Sequence, residues 1–141
     1  MRFSDYHPGI NFCFFAAALA GTILFRHPVY LILSLCAAAL WSTELKGARA
    51  LGFDALALLL AALFALWYAS YHHFGVTVLR QDFIGNNLTV ESFVYGLVTG
   101  LRFAILCMWL EAIFRVVTSD KVIYLFGRVS PRLSLFLTIL L

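Results

Sequence analysis

Charge is what this sequence has least of. Only 12% of its residues are charged, while 63% are hydrophobic. A soluble domain carries roughly 25% charged residues. A water-soluble fold of 141 residues has no means of hiding so much apolar surface, so the composition is that of an integral membrane protein. Basic residues are also too few and too scattered to form a patch, and a net charge of +3 gives no footprint for nucleic acid. Cysteine is scarce and unpaired: Cys13, Cys36 and Cys107 sit in apolar stretches without a CxxC spacing. That excludes a disulfide framework and a structural metal site, and it predicts three buried small residues inside helices. His72 and His73 are neighbours and diverge on a helix, so they read as interfacial polar residues rather than as ligands. No Walker, HExxH or dinucleotide motif occurs, and no nucleophile–base set. Nothing in the chain predicts catalysis, a metal or a cofactor. Any energy for transport has to come from a partner.

What is present is a series of apolar segments. They predict an all-α, polytopic helical bundle of about four transmembrane helices, near residues 10–25, 28–43, 54–71 and 91–117. The first two are short against the roughly 20 residues of a spanning helix. Pro28 either breaks one long helix or opens a second, and a tight helical hairpin is the simpler reading. A signal peptide cut near Ala18–Gly21 fits poorly, because the apolar run continues to Phe25. Glu44–Arg49 reads as a polar break. Trp67, Tyr68 and Tyr71 fit an aromatic belt, and Gly85–Asn87 favour a turn. Thr89 or Ser92 can cap the fourth helix, with Glu91 at its positive end. Gly96 and Gly100 form a GxxxG that admits another helix closely.

That fourth helix carries Arg102, Glu111 and Arg115. Charges in a bilayer cost about 2.5–3.5 kcal/mol each on insertion scales. Arg102 and Glu111 are nine residues apart, about 13 Å along the axis, too far to pair on one helix. Glu111 and Arg115 are at i, i+4 in the favourable order. Either they pair within the helix, or Glu111 or Arg102 reaches another helix or subunit. Residues 118–141 then read as a cytoplasmic amphipathic helix, capped at Ser119 and stopped at Gly127, and the start of a further helix opened by Pro131. The apolar ending of that run suggests that more chain belongs after Leu141. With the N-terminus in the cytoplasm, six basic residues (Arg2, Lys46, Arg49, Lys121, Arg128, Arg132) lie inside against two outside (Arg26, Arg80).

Two stretches carry a family resemblance. "LTVESFVYGLVTGLRFA" resembles part of the transmembrane T component of energy-coupling factor transporters, the cobalt- and biotin-type importers, through Leu88, Thr89, Glu91, Gly96 and Arg102. "VVTSDKVIYLFGRVSPRLSLFLTILL" resembles the segment that follows it there, through Thr118, Ser119, Asp120 and Pro131. "YHPGIN" matches the family's N-terminal region at Pro8, with His7 in place of an aspartate and Asn11 in place of a basic residue. The resemblance implies the N-terminal half of a scaffold in the cytoplasmic (inner) membrane. Its partners would be two cytoplasmic ABC-type ATPase subunits, which bind the ATP, and a substrate-binding membrane subunit for a vitamin or a transition-metal ion. The ATPase-docking arginines of the family would lie beyond Leu141; Arg128, Arg132 and the "GAR" at Gly47–Arg49 match no docking motif. The small residues of "AAALAG" and "GLVTG" would then suit a face that grips the substrate-binding subunit. The other reading is a small, non-enzymatic membrane protein with an assembly or structural role and no ATPase.

Overall fold

The computed structural model describes residues 3, 6–25, 27–81 and 87–127. It is an all-α bundle: α1 Pro8–Leu24, α2 Pro28–Lys46, α3 Arg49–Tyr71, α4 Val90–Val116 and the short α5 Ser119–Gly127, with strands β1 Val78–Gln81 and β2 Asn87–Thr89 between α3 and α4. α2, α3 and α4 are long and apolar enough to cross a membrane. α1, at 17 residues, is shorter; at 1.5 Å per residue it spans about 26 Å against a hydrocarbon core of about 30 Å.

The local starts follow from the sequence. α1 and α2 each begin with a His-Pro pair. Proline at the first helical position has its φ already set and no N–H to leave unpaired. The preceding imidazole accepts from the next free amide: His7 Nδ1 from Gly9 N at 3.1 Å and His27 Nδ1 from Val29 N at 3.3 Å. Pro28 therefore opens a second helix, and the hairpin reading holds.

The polar break expected over Glu44–Arg49 is far shorter in the fold. α2 continues through Lys46, Gly47 turns the chain at φ 63°, and α3 starts at Arg49. Glu44, Leu45 and Lys46 are all good helix formers, and polarity alone does not end a helix at the edge of a bundle. The connection after α3 also departs from expectation. It holds a two-stranded antiparallel ladder pairing Val78 with Thr89, Arg80 with Leu88 and Gln81 with Asn87. Three or four residues per strand give no alternation long enough to read. The predicted turn at Gly85–Asn87 falls mostly outside the described residues, as do Pro131 and the proposed further helix.

Packing divides the bundle into two seams. On one side α1, α2 and α4 enclose Phe15, Leu31, Ala38, Ile105, Met108, Trp109, Ala112 and Val116. On the other, α3 meets α4 through small residues: its buried positions are Ala50, Asp54, Ala57, Ala61, Ala65 and Ala69. The large side chains of α3 face outward, among them Leu56, Leu59, Leu60, Leu63 and Leu66. In water that surface would be a large exposed apolar patch. Small inside and large outside is the arrangement expected where lipid is the solvent, because close backbone approach, not leucine burial, then holds helices together.

The cysteines correct the sequence reading. Cys13 and Cys36 are exposed and Cys107 is partly buried. An apolar outer surface gives a small sulfur side chain no reason to be inside.

Candidate functional site

One end of the bundle gathers charge. Lys46, in the last turn of α2, has a side chain only 7% exposed and forms an ion pair with Glu111 of α4. Arg115, one turn on, approaches the same Glu111 oxygen with its Nε at 3.7 Å. Ser42, one turn before Lys46, donates to Asp54 Oδ1 of α3 at 3.1 Å. Asp54 and Arg115 both act electrostatically on Lys46, and the Lys46 ammonium lies 4.6 Å from the centre of the Phe53 ring. Two cations and two carboxylates make the cluster neutral, which is what permits burial. It ties together the ends of α2, α3 and α4.

Both alternatives for Glu111 are therefore realised at once: it pairs within α4 and across to α2. Reading Glu44–Arg49 as a loop hid Lys46. The signal was Ser42 and Lys46 at i, i+4, a polar stripe continuing an apolar helix by one turn.

α5 is fastened at this same end. Val117 closes α4, and the Thr118 carbonyl accepts from Lys121 N and Val122 N at 3.0 and 3.2 Å, so the chain turns sharply into α5. Thr118 thus precedes the helix, Ser119 is its first residue, and Asp120 lies exposed in its first turn. Lys121 Nζ donates to the Val116 carbonyl at 2.8 Å, satisfying a C-terminal acceptor of α4. Asn11 of α1 is fully buried; oriented to suit its surroundings, its amide donates to Phe3 O at 3.1 Å and accepts from Lys121 Nζ at 3.0 Å. His7 and Tyr124 rings meet edge to face at 5.8 Å. Asn11, where the family pattern has a basic residue, here faces a lysine supplied by α5.

At the opposite end, Glu91 holds the loop before β1. Its carboxylate accepts from Thr77 N at 3.2 Å, Thr77 Oγ1 at 2.9 Å and Val76 N at 3.4 Å. Gly75, at φ 126°, makes room for it: a Cβ there would lie 2.7 Å from the Glu91 carboxyl carbon. Thr89 occupies the cap position of α4, but its hydroxyl donates to Phe74 O at 2.6 Å instead of capping. Ser92 likewise turns back to the Thr89 carbonyl. Leu88 sits in β2 opposite Arg80. His72 stacks on Tyr68 at 4.1 Å between ring centres, and no group of three or more metal-binding side chains exists among the described residues.

Gly96 and Gly100 are buried against α3 of the same chain. A Cβ at Gly96 would be 3.1 Å from the Ala65 backbone, and one at Gly100 would be 2.7 Å from the Ala61 carbonyl oxygen. The face expected to grip a partner is thus filled from within, since α3 presents an alanine stripe of matching spacing. In "AAALAG", Gly21 packs on Tyr30 of α2, while Ala16, Ala17 and Ala20 are exposed.

A second polar connection was not visible in the sequence. Trp109 Nε1 donates to Ser34 Oγ at 3.0 Å, Ser34 is 3.0 Å from Thr22 Oγ1, and Thr22 donates to the Ala18 carbonyl at 2.8 Å. If Thr22 spends its proton on Ala18, Ser34 must donate to Thr22. The chain of bonds links α4, α2 and α1 inside the core. Its members are 12 and 75 residues apart, so no local pattern could have announced it.

Comparison with protein-family models, curated proteins and solved structures finds no match for this chain.

Proposed function

We propose that the chain is the membrane scaffold of an ATP-driven importer of the energy-coupling factor type, with its N-terminus and α5 in the cytoplasm of a cell bounded by that membrane. Two cytoplasmic ATPases would act on helices that begin at α5. The scaffold would pass their movement to a small membrane subunit carrying a vitamin or a metal ion. The observation that carries the reading is the seating of α5. It lies across the end of the bundle that also holds Lys46, Arg49, Arg115 and Lys121, and is fixed to α4 and α1 through Lys121. Force applied to α5 would reach α4 through one turn, and α2 and α3 through the Lys46–Glu111 cluster. Basic residues concentrated at this end also favour its cytoplasmic placement. The motif residues from Leu88 to Asp120 add the resemblance.

The test is isolation of the full-length protein from its native membrane in mild detergent. Two ATP-binding subunits and a small membrane protein in fixed ratio, with ATP turnover, are expected. Isolation of the chain without any ATPase, in detergents that keep other transporters assembled, would favour the assembly or structural role instead.

A further inference from the structure

We infer that the groove between α3 and α4 holds one acyl chain of an anionic phospholipid, whose headgroup rests on Arg49 at the α2–α3 end of the bundle. The inference needs only that the chain is membrane-embedded; it does not depend on the importer reading.

The groove follows from the seam it runs along. Small residues bring α3 and α4 close, Ala57 and Ala61 against Gly100 and Ala104, and these form its floor. Larger side chains stand on either side, Leu56, Leu60 and Phe64 from α3 and Phe103 from α4. They enclose about 550 Å³ on an outer surface where Leu56, Leu60 and Phe103 are each more than half exposed. Thr99 brings the one hydroxyl in the lining, and it already donates to the Tyr95 carbonyl at 2.9 Å. The remaining side chains are hydrocarbon apart from Cys107, whose thiol is a weak donor. In a bilayer such a groove is filled by hydrocarbon, because empty space beside apolar atoms forfeits their dispersion contacts.

Length and charge select the lipid. From Phe53 to Phe64 the α3 wall runs about 16 Å along the axis. One leaflet of hydrocarbon is about 15 Å, half of the core, so the groove has the length of one acyl chain and not of a spanning helix. Arg49, Phe53, Leu56, Leu60 and Phe64 recur at helical spacing along one face of α3. Arg49 is therefore on the side of the groove, about 6 Å beyond Phe53 and at the first position of the helix, which is where a headgroup phosphate lies. It is exposed and makes no ion pair among the described residues. The Lys46 ammonium beside the Phe53 ring adds no surplus charge, because Glu111 already neutralises it. The attraction for an anion at this mouth rests on Arg49, whose guanidinium can hold a phosphate through two parallel hydrogen bonds.

The experiment places a photoreactive phenylalanine analogue at Phe103, and separately at exposed Leu40 of α2, in the full-length protein. In the native membrane the Phe103 product should be a phospholipid with an anionic headgroup, read from the mass of the crosslinked peptide. In phosphatidylcholine vesicles with a minor share of phosphatidylglycerol, the anionic lipid should be enriched about fivefold over its share at Phe103 and not at Leu40. Arg49→Gln should abolish the enrichment, and Arg49→Lys should keep most of it. A Phe103 product with a protein, whether another subunit, a second copy or a stretch of this chain after Gly127, would overturn the inference. So would a lipid product that merely follows the vesicle composition, equal enrichment at Leu40, or enrichment that survives Arg49→Gln. Should that variant fail to accumulate, Leu60→Trp keeps the charge and fills the groove: loss of the enrichment supports the site, and an unchanged value sinks it.

Discussion

The two seams of this bundle are built on different principles. Between α3 and α4 the contact is small on both sides, Gly96, Gly100 and Ala104 against Ala57, Ala61 and Ala65. The backbones come close, and specificity is steric. Between α4 and the α1–α2 hairpin the contact is large and aromatic, with Phe15 and Trp109 in the core and a chain of side-chain hydrogen bonds through it. There specificity is polar. The difference teaches where each seam can fail: the first to added volume, the second to a lost partner.

Substitutions can break this comparison or sharpen it. The largest effect is expected at Gly100. Leucine there would drive a side chain into the Ala61 carbonyl, which is helix backbone and cannot give way, at a cost of about 3 kcal/mol. Leucine at exposed Thr99, one residue away, should change unfolding in detergent by no more than about 0.5 kcal/mol. Equal losses in the two variants would mean that α3 and α4 are not in contact.

Glu111→Ala comes next. Removing one partner of a buried pair costs 3–5 kcal/mol, roughly, but Glu111 is 23% exposed, so about 2 kcal/mol is expected. Arg115→Ala should cost under about 1 kcal/mol, because that side chain is 50% exposed. Combining Glu111→Ala with Lys46→Met should recover most of the loss in a double-mutant cycle; no recovery would show that the two side chains do not interact. Trp109→Phe removes the donor to Ser34 and part of a buried ring and should cost about 2 kcal/mol, read as a shift in thermal unfolding; Ser34→Ala, which also loses its bond to Thr22, should cost less in that background than alone. The smallest effect is at the hairpin itself. His27→Ala deletes a cap and should cost about 0.5 kcal/mol, measurable as faster hydrogen exchange at the start of α2 while α3 and α4 stay protected.

The helices were largely legible before folding was considered. Apolar length, proline placement and the Ser119–Gly127 pattern located α1 to α5 within a few residues, because these signals are local. The edges that slipped did so for physical reasons. The turn after α2 was drawn too wide because Glu44 and Lys46 are polar. Lys46, however, extends the helix and turns inward to Glu111. The β1–β2 pairing was missed because its strands are too short to show a period. The cysteines were assigned to the interior by a rule that holds in water and reverses in lipid.

The charged cluster was half legible. Glu111 and Arg115 stand one turn apart on a single helix, so their relation is written in the spacing. Lys46 and Asp54 lie 65 and 57 positions before Glu111, and only packing brings them to the same end.

By itself the sequence determined that this chain is a bundle of apolar helices, about where α1, α2 and α4 begin and which residues are costly in a membrane. Each of those follows from composition or from contacts within a few residues. Tertiary structure alone decided that the GxxxG faces α3 of the same chain and that Glu111 serves two cations. It also decided that Lys121 reaches back to Asn11, while Arg102 makes no ion pair among the described residues. Those depend on which helix lies beside which, and that choice is made by matching surfaces far apart in the chain.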